Sequence, residues 1–175
     1  MEINTTLGPA ITIRPEDIFF ADNAASTSSA GLATTYTGGV CLQNPPGSRV
    51  YLIPLKISST AVVITTAVTS AGVIVGYAPT GITTHTTPLR ARSVMGATGS
   101  SSALVDQACT LTGTPRWAIS GFASTGIAAG VWGATIDVFG RFYILPGGYI
   151  ATGTSVASAA TGVLASIMWA EVLLP

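Results

Sequence analysis

The side chains able to do chemistry are few and scattered. His85 is the only histidine, and a nucleophilic triad built on it would need Asp106 or Asp137 and a serine. In such a triad the imidazole takes the serine proton while the carboxylate fixes its tautomer, so all three groups must converge in space. No Gly-x-Ser-x-Gly elbow is present to hold a serine on a strained turn. Threonines surround His85, with no Cys, Asp or Glu at the short spacings of a zinc site. Gly96-Ala-Thr-Gly99 lacks the lysine and the longer glycine pattern of a phosphate loop. Asp106, Asp137 and Glu171 are the acids available for paired-carboxylate glycoside cleavage, and they read instead as isolated surface or capping carboxylates. The expectation is a chain that is not an enzyme, with no cofactor, no metal and no small-molecule substrate.

Composition points the same way. Of 175 residues only 8% are Asp, Glu, Lys or Arg, where a soluble domain has roughly 25%. Seven basic and seven acidic residues cancel to a formal net charge of zero. Binding a phosphate backbone needs clustered cations that displace counterions, and Lys56 and the arginines from Arg14 to Arg141 are dispersed. Nucleic acid is therefore not an expected partner. Residues 57–89 and 142–170 carry no Asp, Glu, Lys or Arg. A spanning helix needs about 20 mainly apolar residues, and Gly, Ser, Thr and Pro interrupt every such run here, so no membrane segment is expected. Glu2 directly after Met1 does not resemble the basic start of a signal peptide. Cys41 and Cys109 are too few for a disulfide framework and read as two buried free thiols.

The elements that position these residues are strands. Residues 141–175 organise the reading. Arg141 to Thr152 is aromatic and β-branched, interrupted by Pro146-Gly147-Gly148, where a strand must kink or bulge. Val163 to Pro175 is apolar on both alternations, with Ile167, Trp169 and Leu173 on one face and Met168, Ala170 and Val172 on the other. Such a strand is covered on both sides, and Glu171 alone then needs water or a partner.

Earlier in the chain, residues 1–20 read as an extended arm with a turn at Arg14-Pro15-Glu16-Asp17, and 21–39 as an Ala/Ser/Thr/Gly-rich flexible loop. Val40-Cys41-Leu42 and Arg49 to Ile57 are strands about the turn Asn44-Pro45-Pro46-Gly47-Ser48, with Pro54 marking an edge or a bulge. Residues 61–77 suit two further strands, 78–103 a long surface excursion, and 103–111, 116–122 and 134–138 more strands. Trp132 falls in a loop, 124–133. About eight to ten short strands separated by Gly/Pro turns give an all-β fold, an antiparallel β-sandwich, jelly-roll-like, with an extended N-terminal arm. The expected division is 1–39 for the arm and loop and 40–175 for the sandwich. Ile11, Ile13, Phe19 and Phe20 in the arm, which docks on its own subunit or on a neighbour, together with Trp132, are the candidate contact residues.

Two stretches carry a resemblance. One is Asn44-Pro-Pro-Gly-Ser48 leading into Val50-Tyr-Leu-Ile53. The other is Ile144-Leu-Pro-Gly-Gly-Tyr-Ile150, followed by Ser166-Ile-Met-Trp-Ala-Glu-Val172. Together they resemble the jelly-roll structural proteins encoded in tailed-bacteriophage virion modules, over roughly residues 40–175. The resemblance implies a capsid decoration or cement protein, made in the host cytoplasm and located on the virion's capsid surface. It further implies a homotrimer whose other partner is the major capsid protein. Two other roles are weighed beside it, a glycan-recognising host-attachment module and a small capsid-forming jelly roll.

Overall fold

The computed structural model describes residues 2–3, 11–23, 25, 27–29, 31–63, 71–77, 80–96, 100–122, 132–139, 141–154 and 157–174. The strands are β1 (Glu2–Ile3), β2 (Ile11–Thr12), β3 (Ile18–Asp22), β4 (Thr27–Ser29), β5 (Thr35–Gln43), β6 (Val50–Val63) and β7 (Ala71–Tyr77). They continue as β8 (Thr84–Pro88), β9 (Arg92–Ser93), β10 (Leu104–Thr110), β11 (Arg116–Phe122), β12 (Trp132–Asp137), β13 (Gly148–Thr154) and β14 (Ser158–Leu173). A single 3-10 turn, Pro15–Asp17, is the only helical element among the described residues. Its amide at Asp17 bonds the carbonyl of Arg14, the turn expected there.

Two antiparallel sheets face each other. The first runs β11-β7-β13-β5-β10-β8, and the second β12-β6-β14-β3-β9 with β4 also on β14. The pairs β5–β13, β6–β12, β7–β11 and β8–β10 are nested one inside another. That is the connectivity of a long hairpin rolled over on itself, the jelly-roll theme. The fold is thus the expected all-β sandwich, and no helix among the described residues is long and apolar enough to cross a membrane.

Between the sheets lies the main core. Trp169, Ile167 and Val163 of β14, Phe19 of β3 and Leu52 of β6 meet Val40 and Leu42 of β5, Val73 of β7, Val105 of β10 and Ile150 of β13. Trp169 is completely buried, and its ring stacks on Phe19 with centroids 6.1 Å apart. The other side of β14 is covered as well. Ala170, Met168 and Val172 pack with Ile53 and Leu55 under Ile13 and Ile18 from the N-terminal segment. Coverage on both faces is what the double apolar alternation demanded, although Leu173 departs from it and is 76% exposed.

Pro54 lies beside a bulge, as its missing N–H predicts. Along β14 the partner steps from Lys56 at Met168 to Pro54 at Trp169, which leaves Leu55 unmatched. The Leu55 carbonyl bonds the Val138 amide instead. The extra residue moves the inward face of β6 from Leu52 to Ile57, an even position to an odd one.

Several elements differ from the reading of the sequence. Residues 18–22 are not a free arm: β3 pairs with β14 from Ser166 to Ala170. Beyond β3 the ladder is continued by a side chain, because Asn23 accepts from the Ala165 amide (2.6 Å) and donates to the Val163 carbonyl (2.8 Å). A boundary at 39/40 would cut β5. Residues 61–63 belong to β6, and 141–147 hold only a bridge from Ile144 to Leu52 before β13 begins. Trp132 opens β12 at a sheet edge, opposite Ala61, and is not in a loop.

Candidate functional site

The chemistry-bearing residues converge only in part. His85 and Asp106 meet: Nδ1 lies 2.7 Å from Oδ2, across β8 and β10. Asp106 is fully buried while the histidine side chain is 36% exposed. Asp106 stands opposite Cys41 in β5, and Cys109 opposite His85. Burial raises the Asp106 carboxyl above its ordinary value, and the hydrogen bond and charge of His85 oppose that rise. The Cys41 thiol is pushed well up, first by its hydrogen bond with Cys109 and then by burial. A thiol held protonated is a poor nucleophile and a poor metal ligand. Both cysteines are buried and free. No three His, Cys, Asp or Glu side chains among the described residues converge as a metal site.

The other acids lie apart. Asp137 ends the edge strand β12, opposite Lys56. Glu171 is used structurally, with its carboxylate accepting from the Ser101 hydroxyl and from the Ser102 and Ala103 amides. This is the partner its place in an apolar strand required.

A more distinctive arrangement sits where two turns meet. Asn44-Pro45-Pro46-Gly47-Ser48 and Leu145-Pro146-Gly147-Gly148 fold alike: a Ser48 amide to Pro45 carbonyl bond closes the first, and Gly148 to Leu145 the second. Gly47 and Gly147 have φ of +80° and +87°, the third-position value of a type II turn that favours glycine. Asn44 joins them. Its side-chain amide donates to the carbonyls of Val50 and Ile144, both at 2.8 Å, and its own backbone pairs with Gly147 and Gly148. One residue thereby supplies a donor to buried carbonyls at two turns, and the Ile144 carbonyl accepts from the Leu52 amide as well.

This clamp fixes residues 142–145 beside the end of β7. Between them opens a cleft of about 290 Å³, walled by Tyr77, Phe142, Tyr143, Ile144, Leu145 and Tyr149. Tyr149 pairs with Gly76 across the strands, and its ring lies over that glycine: a Cβ there would sit 2.1 Å from the phenol oxygen. Only glycine leaves room for the ring. Burial, with the nearby Cys41 and Cys109, pushes the Tyr149 phenol up to about 12, so it stays neutral. Tyr77 faces Gly148, which has no side chain to cover it, and remains 65% exposed. Tyr143 and Leu145 are 39% and 51% exposed.

The contact candidates are distributed otherwise. Ile13 and Phe19 are buried within the chain's own packing. Phe20 is half-buried and lines a shallow groove on the outer face of the second sheet with Lys56, Ser58, Ser166 and Met168. The side chains of Ile11 and Trp132 lie outside the described residues. Reading the sequence missed the cleft. The available signal was Phe142-Tyr143 two residues before a Pro-Gly turn, where Phe142 packs on the core and the Tyr143 ring is left exposed.

No protein-family model, curated protein or solved structure matches this chain.

Proposed function

We propose that this chain is a structural virion protein, a decoration or cement protein that binds the outer capsid lattice and stabilises the head. One observation carries the reading. A chain with only 8% charged residues leaves Leu173 and Met95 more than half exposed, at 76% and 63%. An isolated domain of such low charge is prone to association, whereas a subunit in a repetitive assembly buries these side chains against its neighbours. The strand β14, covered on both faces by the chain's own segments, gives a rigid block for bridging capsomers. Its contribution is mechanical: expansion of the head must break additional contacts, and binding that favours one capsid state stabilises it by mass action. The assembly is a homotrimer, and its other partner is the major capsid protein.

The test is co-sedimentation with expanded, undecorated capsids of tailed bacteriophages, the partner class this reading requires. Saturable binding at a fixed ratio to capsomers, with a raised disassembly temperature, is the expected result. Absence of binding by folded protein overturns the proposal.

A further inference from the structure

The cleft between Tyr77 and residues 142–145 has properties that a purely mechanical subunit does not require. Its wall contains no Asp, Glu, Lys or Arg. Its rings are tyrosines and a phenylalanine, two of them well exposed at the mouth. Its shape does not depend on chance packing, since Asn44 anchors one wall and the Gly76–Tyr149 contact sets the floor.

We propose that this cleft is a subsite for one neutral hexopyranose unit of a glycan, stacked on the exposed ring of Tyr77 with Tyr143 and Leu145 closing over it. A pyranose has an apolar C–H face and a rim of hydroxyls. The first suits an aromatic face, and the second suits phenol groups and an open mouth, because Tyr offers apolar area with a polar tip. A charged ligand would leave its charge unpaired against an uncharged wall, at a desolvation cost. A peptide has too little free edge to add as a strand here, because β7 is paired by both β11 and β13 as far as Val75, and only Gly76 and Tyr77 lack a β11 partner. At about 290 Å³ the space matches the small end of ligand pockets, one ring and not an extended proline-rich segment. The assignment does not depend on the capsid role. A decoration protein and an attachment protein would each use it to hold a surface polysaccharide.

The test is titration of the 175-residue chain with four neutral disaccharides (maltose, cellobiose, lactose and N,N′-diacetylchitobiose), followed by NMR chemical shifts. The expected result is millimolar, saturable binding of at least one sugar, with the largest shifts at Tyr77, Tyr143 and Leu145. Tyr77→Ala is expected to weaken it about tenfold without lowering the unfolding midpoint, because the ring is mostly exposed. Tyr77→Phe keeps the stack and most of the affinity. The proposal is overturned by any of four outcomes. These are no saturable shift with any of the four sugars, shifts that map elsewhere, sialyllactose binding more tightly than lactose, or cleft signals that move on dilution alone. The last would mean that a second copy of the chain fills the cleft.

Discussion

Glu171 and Ser102 are joined twice: both carboxylate oxygens of the strand residue accept from the one backbone amide, at 3.0 and 2.9 Å. The serine lies in the segment that delivers Ala103 and Val105 into the core, so the contact fixes where β10 enters its sheet. Trp169 adds its indole N–H to the same carboxylate, at 3.3 Å.

Removing that acceptor has a predictable cost. Charge-assisted hydrogen bonds contribute more than neutral ones, so Glu171→Ala is expected to lose about 2–3 kcal/mol and Glu171→Gln, which keeps one acceptor, about 1 kcal/mol. Urea denaturation measures both, and hydrogen exchange at the Ser102 amide is expected to accelerate in each. Equal stability of all three proteins contradicts this role.

The clamp at Asn44 gives a sharper comparison. Asn44→Ala removes a donor from two buried carbonyls and is expected to cost about 1–3 kcal/mol. Asn44→Asp is nearly the same size, yet it sets carboxylate oxygens against the carbonyls of Val50 and Ile144. It is expected to cost more than alanine, about 3–4 kcal/mol at neutral pH, because a buried charge is left facing acceptors. Chemical denaturation decides the order. Aspartate no worse than alanine contradicts the assigned hydrogen bonds.

The pair formed by His85 and Asp106 makes stability depend on pH. Burial raises the Asp106 carboxyl when the chain folds, so the folded state holds that proton more tightly than the unfolded chain does. Its favourable contribution is complete below the unfolded value of about 4 and is lost as pH rises through the higher folded value. His85 limits the loss by favouring the ionised carboxylate. His85→Ala therefore destabilises more at pH 7 than at pH 4, and Asp106→Asn removes this part of the pH dependence. Parallel profiles for the wild type and His85→Ala between these pH values contradict the linkage.

How much of this was legible depends on the range of the interaction. The double apolar alternation of 163–172 and the proline at 54 are local signals, and they gave a strand covered on both faces and a bulge. The two Pro-Gly turns were equally local. β3 was hidden because its pattern, Ile18-Phe19-Phe20, is short and is followed by small residues. Its strand character comes from β14 across the sheet, not from its own sequence. The contact of His85 with Asp106 rests on a β8–β10 register that shifts twice, and no spacing rule reports such shifts. The cleft needs Tyr77 and Tyr143 brought together by Asn44, three residues distant in sequence whose meeting only the fold determines.

The measurement that tests the central claim most directly is the mass of the purified chain in solution, by light scattering coupled to size exclusion. A discrete species of three times 17.6 kDa is predicted, with the exposed apolar side chains buried between subunits or ready for a capsid. A stable monomer at high concentration contradicts an assembly subunit, and very large closed particles would show that the chain builds a shell instead of decorating one.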